Sequence, residues 1–93
     1  MFGSVARTRV KPENRAALLA LMERQDYAKV EGFKMSHILW ENDSDVAWMF
    51  AIFENRELYY KNADDPAQNE RYVEFRALLE EDPEWHDGEV ESA

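Results

Sequence analysis

The stretch that most limits how this chain can fold is Val46–Phe53, VAWMFAIF. Its alternating sides are Val46, Trp48, Phe50, Ile52 and Ala47, Met49, Ala51, Phe53, and both are apolar. A strand with one face in water alternates apolar with polar residues, whereas a strand covered on both faces reads as a continuous apolar run. Its short length, its aromatic and β-branched content and the Glu54-Asn55 that ends it favour a strand over a buried helix. Each face therefore needs a cover. In a chain of 93 residues, one cover falls to the chain's own helices and the other to a second molecule.

The remaining elements follow from pattern. Phe2–Val10 alternates, with Val5, Arg7 and Arg9 on one side and Ser4, Ala6, Thr8 and Val10 on the other, and reads as a strand. Lys11-Pro12 ends it, since proline lacks a donor and suits the first helical turn. From Glu13 to about Val30, Leu18, Leu21, Met22 and Gln25 recur at helical spacing, and Gly32 fits the position just past a helix end. Phe33–Glu41 reads as a second strand, joined through Asn42-Asp43-Ser44-Asp45 to Val46–Phe53 as a hairpin. Asn55 is a cap for a helix opening at Arg56. Asp64-Asp65-Pro66 interrupts that helix, and Asp65, Pro66 and Gln68 start it again as a capping box. Tyr72, Phe75, Arg76 and Leu79 continue it until Asp82-Pro83, and Trp85–Val90 reads as a short last strand.

The order β-α-β-β-α-β is the ferredoxin-like arrangement. It is an α+β fold, a single domain over residues 1–93, with a four-stranded antiparallel sheet and two helices on one face. The first and third strands are central and the fourth lies beside the first. That topology sets Asp87, Glu89 and Glu91 near Arg7 and Arg9. It also leaves one sheet face bare, and a homodimer through that face covers it.

Twenty acidic against eleven basic residues give a net charge of -9. Nucleic-acid binding draws on clustered Lys and Arg, so a polyanionic partner is not expected. Seven carboxylates between Glu80 and Glu91, without Lys or Arg, read as a solvated surface, because they lack the regular oxygen spacing of a cation loop. With no cysteine and only two histidines, His37 and His86, at no ligand spacing, no metal site is expected. No apolar run reaches the ~18 residues of a membrane span, and no leader pattern is present, so a cytoplasmic protein is expected.

Lys11-Pro12 after the first strand, Val30-Glu31-Gly32-Phe33 at the helix-to-strand turn and Phe53-Glu54-Asn55 closing the third strand carry a resemblance. So do Tyr60–Pro66 and Asp82–Gly88. With these features the chain resembles the antibiotic biosynthesis monooxygenase-like group of dimeric α+β barrels. The resemblance implies a homodimer whose paired sheets form a barrel, with a pocket between sheet and helices in each subunit. It implies cofactor-independent oxygenation of a small aromatic or quinol substrate, or a non-catalytic dimeric module that binds a small ligand or serves an assembly. Haem-degrading members rely on an Asn in the first strand and on a Trp and a His in the second helical region. Here the first strand has no Asn, and Arg56–Glu81 has neither Trp nor His, so haem degradation is disfavoured.

The candidate catalytic residues are His37, which would assist deprotonation, and Tyr72, whose hydroxyl would polarise a phenol or quinone oxygen. Trp48, Tyr59, Asn62 and Arg76 are the candidate substrate-binding residues, being of the types that surround the pocket in phenol-oxygenating members. Each has a plain structural alternative: His37 as a half-buried interface histidine, the aromatic residues as ordinary core. His86 is expected to face outward while Trp85 anchors the tail in the core. No cofactor motif is present, since a substrate carbanion can meet oxygen directly.

Overall fold

The computed structural model describes residues 1–24 and 29–93. The elements are β1 (Phe2–Arg9), a 3-10 turn (Pro12–Asn14), α1 (Arg15–Arg24), β2 (Phe33–Trp40), β3 (Val46–Phe53), α2 (Arg56–Ala63), α3 (Pro66–Arg76) and β4 (Glu84–Glu89). The strands form one antiparallel sheet in the order β2-β3-β1-β4, so the first and third strands are central as expected. The second helical region is two helices, divided at the expected Asp64-Asp65-Pro66 interruption. Asp64 ends α2, and Asp65 caps α3 by accepting a hydrogen bond from the Ala67 amide at 2.9 Å, with Pro66 behind it. The expected first helix is described only to Arg24; Gln25, placed in its apolar stripe, lies outside the described residues.

Register assigns the faces. Phe2, Ser4, Ala6 and Thr8 of β1 stand opposite Phe53, Ala51, Met49 and Ala47 of β3. This is the helix side, where Leu18 and Leu21 of α1 are buried. Val10, Leu18, Ala47 and Leu79 form the buried core, with Met22, Ile38, Trp40, Phe75 and Leu78 packed around it. Thr8 is buried among them because its Oγ1 donates to the Ala47 carbonyl at 2.8 Å, which satisfies the hydroxyl. The core therefore occupies the Val10 end of the sheet–helix interface.

Two local features fix the other end. Gly32 has φ +82°, and a Cβ there would lie 2.6 Å from Leu58 Cδ1. Only glycine permits both that conformation and that approach of α2. Its carbonyl accepts the Glu54 amide at 2.7 Å, tying the start of β2 to the end of β3. Between Phe33 and Met35 the β2–β3 register shifts. This bulge turns Phe33 to the helix side, where its ring meets Phe53 edge-on at 5.8 Å. Plain alternation along β2 would group Phe33 with Met35, His37 and Leu39, and it breaks there.

The charge pairing expected across β1 and β4 differs in detail. Arg7 and Arg9 meet Glu81 at 4.0 and 3.5 Å, and Arg9 also meets Asp45 at 3.8 Å. Asp87 stands opposite Ser4, on the other sheet face from both arginines.

Candidate functional site: a sheet–helix cavity with a carboxylate at one end

Away from the core, the space between sheet and helices is hollow. A cavity of about 470 Å³ lies there, within the size range of small-molecule sites. Its origin is in the sequence: the paired positions Ser4 and Ala51 line its floor with small side chains. Around that floor stand Phe53, Tyr59 and Tyr60 on one side and Tyr72, Phe75 and Trp85 on the other. The rings support one another. Tyr59 meets Phe2, Phe53 and Tyr60 at centroid distances of 5.2, 5.5 and 5.0 Å. Phe75 meets Tyr72 at 6.3 Å and Trp85 at 6.4 Å. Tilted and edge-on pairs at these distances stabilise aromatic walls beyond their buried area.

One end is polar. Asp87, on the edge strand β4, accepts hydrogen bonds from the Tyr59 hydroxyl at 3.0 Å and the Tyr60 hydroxyl at 3.4 Å. Burial pushes the Tyr59 phenol up to about 12, and the charge and hydrogen bond of Asp87 act in the same direction. The Ser4 hydroxyl pulls the other way, but not through a well-formed hydrogen bond. Its Oγ is buried and has no partner in hydrogen-bond geometry. Tyr59 therefore stays protonated at neutral pH and acts as a donor. Among the cavity-lining residues Asp87 is the carboxylate. Two hydrogen bonds leave part of its acceptor capacity open. Towards α3, Gln68 accepts from Arg71 Nη1 at 3.1 Å.

Of the residues singled out from the sequence, Tyr59, Asn62 and Tyr72 line this cavity. His37, Trp48 and Arg76 do not. His37 is exposed on the opposite sheet face, across from Phe50 and flanked by Met35 and Leu39. Trp48 shares that face, opposite Arg7 and Leu39, with its Nε1 donating to Glu41 at 3.3 Å. Arg76 closes the turn after α3, donating to Asp82 Oδ1 at 2.7 Å and the Leu79 carbonyl at 3.1 Å. Trp85 is not a core anchor: it is 49% exposed and forms part of the cavity wall. His86 points to the other face, its Nε2 2.8 Å from Glu84 Oε1. Sequence reasoning missed Ser4, Tyr60 and Asp87. Strand alternation puts Asp87 on the side of Trp85, but the register that sets it opposite Ser4 is a tertiary fact.

Among the described residues no cluster of His, Asp and Glu is arranged to hold a metal ion, and no helix is long and apolar enough to cross a membrane. No protein-family model matches the sequence, and no curated protein does. Solved structures match over nearly the whole chain. SnoaB, a cofactor-independent oxygenase from Streptomyces nogalater, superposes with TM-score 0.81 at 19% identity, covering 99% of this chain and 94% of that one. A candidate antibiotic biosynthesis monooxygenase from Deinococcus radiodurans gives 0.79 at 14% identity, covering 100% and 95%. A conserved protein from Methanosarcina mazei gives 0.81 at 16% identity, covering 97% and 92%.

The chain has the antibiotic biosynthesis monooxygenase fold. At these identities the likeness concerns the path of the backbone and the layering of sheet and helices. In that fold the cavity described above sits between the two layers, and its chemistry is set by this chain's own side chains.

Proposed function

We propose that the chain is a cofactor-independent oxygenase that takes a small aromatic or quinol-type substrate into the sheet–helix cavity. The observation that carries this reading is the cavity itself: a ring-lined space of about 470 Å³ with phenol hydroxyls and one carboxylate at a single end. The walls suit a flat ring, and the polar end suits an oxygen substituent on it. Tyr72 would donate to a substrate oxygen, Tyr59, whose O–H is held by Asp87, would accept from a substrate hydroxyl, and Asn62 would add a further polar contact. A proton acceptor is required to form the substrate carbanion. In this cavity that role falls to Asp87, since His37 is on the other face. The carbanion reduces dioxygen and bonds to it, the resulting peroxide anion takes the proton back to give a hydroperoxide, and loss of water leaves a carbonyl. The net change is CH2 + O2 → C=O + H2O, with oxygen as the only oxidant. SnoaB, with the same fold, is a cofactor-independent oxygenase, which supports the reading.

The same proposal includes a homodimer. On the open sheet face Met35, Leu39 and Phe50 are 41%, 51% and 37% exposed, with Trp48 beside them. An exposed apolar sheet face of this kind is the usual mark of an interface, and a second copy of the same face is self-complementary across a two-fold axis.

The test pairs binding with turnover. A thermal-shift panel of haem, hydroquinones, anthrones and simple phenols is followed by oxygen-uptake assays. A ligand that binds only the native state adds roughly 2.7 kcal/mol at a hundredfold excess over its Kd. The oxygenase reading expects a shift with anthrone and stoichiometric oxygen consumption yielding anthraquinone. A shift without oxygen uptake favours the ligand-binding module, and a shift with haem alone overturns the aromatic-substrate reading.

A further inference from the structure

Asp87 stands in an unusual setting for a residue of an exposed edge strand. Both of its carboxylate oxygens point to tyrosine hydroxyls, Oδ1 to Tyr59 at 3.0 Å and Oδ2 to Tyr60 at 3.4 Å. Those phenols belong to α2, while Asp87 belongs to β4, so the contact bridges the helix layer and the sheet at the edge of the cavity. The tyrosines are themselves held. Their rings are stacked edge-on at 5.0 Å, and both pack against Phe2. Arg56 lies over the Tyr60 ring at 5.5 Å, and over Phe2 at 5.9 Å. The phenols are thus fixed as donors, and they fix the carboxylate in turn. The buried Ser4 hydroxyl, opposite Asp87 on β1, adds no positive charge.

We infer that Asp87 is the specificity-determining residue of the cavity: it selects an uncharged aromatic ligand that presents a hydroxyl at the β4 end. This deepens the proposed function and rests on its reading of the cavity as a ligand site. The physical argument is one of donors and acceptors. A carboxylate accepts and, while ionised, cannot donate. Two hydrogen bonds from neutral phenols do not fill it, and a third donor, a ligand O–H, meets it in a charge-assisted hydrogen bond beside the half-buried Tyr59. An ether in the same position offers only an acceptor and leaves lone pairs facing lone pairs. A carboxylate or sulfonate there adds like-charge repulsion within an apolar wall. The Arg56 guanidinium lies over ring faces, outside the cavity lining; the cation that does line the cavity, Arg71, belongs to α3, where its Nη1 donates to Gln68 at 3.1 Å.

The experiment is a calorimetric binding series on the full chain, with 1-naphthol, 1-methoxynaphthalene and 1-naphthoate as probes. The native protein is expected to bind naphthol at least tenfold more tightly than the methyl ether, the usual difference for a hydrogen bond to a charged group, and to bind naphthoate most weakly. In Asp87→Ala the preference for naphthol over the ether falls below about twofold, while affinity for the ether itself changes little. That last readout separates selection from a general loss of structure. Asp87 is on an exposed edge, so the variant is expected to fold, and Tyr59→Phe, which frees one carboxylate oxygen, provides a second test by retaining the hydroxyl preference. Equal binding of naphthol and its ether by the native protein overturns the inference while leaving the cavity a ligand site. A preference that survives in Asp87→Ala does the same. If none of the three probes binds, the cavity reading fails and the inference with it.

Discussion

Two hydroxyls on the helix side of β1 show how differently one residue class can be used. Thr8 is 1% exposed and satisfied by the Ala47 carbonyl; Ser4 is 7% exposed and has no partner. The first belongs to the core, the second to the cavity floor. Above Ser4, Tyr59 carries a testable consequence. Its phenol titrates at about 12 in the folded chain, against an ordinary value of 10.0, because burial disfavours the tyrosinate. The native state thus binds more protons than the unfolded chain through that interval. Stability is full below about pH 10 and is lost as pH rises toward 12. Tyr59→Phe is expected to flatten that alkaline slope relative to the native protein, measured as melting temperature against pH. A parallel slope in both proteins would remove Tyr59 as its source.

At the scale of elements, the helices depend on local signals because their apolar stripes are weak. Neither α2 nor α3 contains a fully buried residue, so packing holds them less than it holds α1. Asn55 closes the start of α2 by accepting the Leu58 amide at 2.9 Å. Asn55→Ala leaves that amide unpaired and is expected to cost about 1 kcal/mol in denaturant unfolding. Because α2 carries Tyr59, Tyr60 and Asn62 into the cavity, the same variant should weaken ligand binding more than its stability loss alone would predict. The bulge between Phe33 and Met35 acts on the same scale. One shifted residue moves Phe33 to the helix side, and no periodicity in FKMSHILW announces it.

For the molecule as a whole, the open sheet face is the largest feature that a single chain does not account for. Leu39, on the edge strand β2, is 51% exposed beside Trp48. If that face is the dimer interface, Leu39→Glu is expected to produce a monomer in sedimentation velocity, with a lower melting temperature that no longer depends on protein concentration. A monomeric native protein would remove the dimer. Dimerisation would also bury His37 and Trp48, which explains why residues with pocket-like chemistry occur on a face that has no cavity in one chain.

The sequence by itself determined the element order, the strand hairpin, the central place of Val46–Phe53 and the caps at Asn55 and Asp65, and it marked Gly32 as a turn, although the approach of Leu58 that makes glycine necessary there is tertiary. These follow from periodicity and backbone chemistry, which act over a few residues and are written locally. It also singled out Tyr59, Asn62 and Tyr72, which line the cavity. The tertiary structure alone decided which side chains share the cavity. His37, Trp48 and Arg76 have suitable chemistry but stand elsewhere, and Ser4 and Asp87 meet only because β4 pairs with β1 in one register. Strand register is fixed by long-range pairing and by how many small residues the sheet leaves under its helices. Neither quantity is contained in any short stretch of the chain.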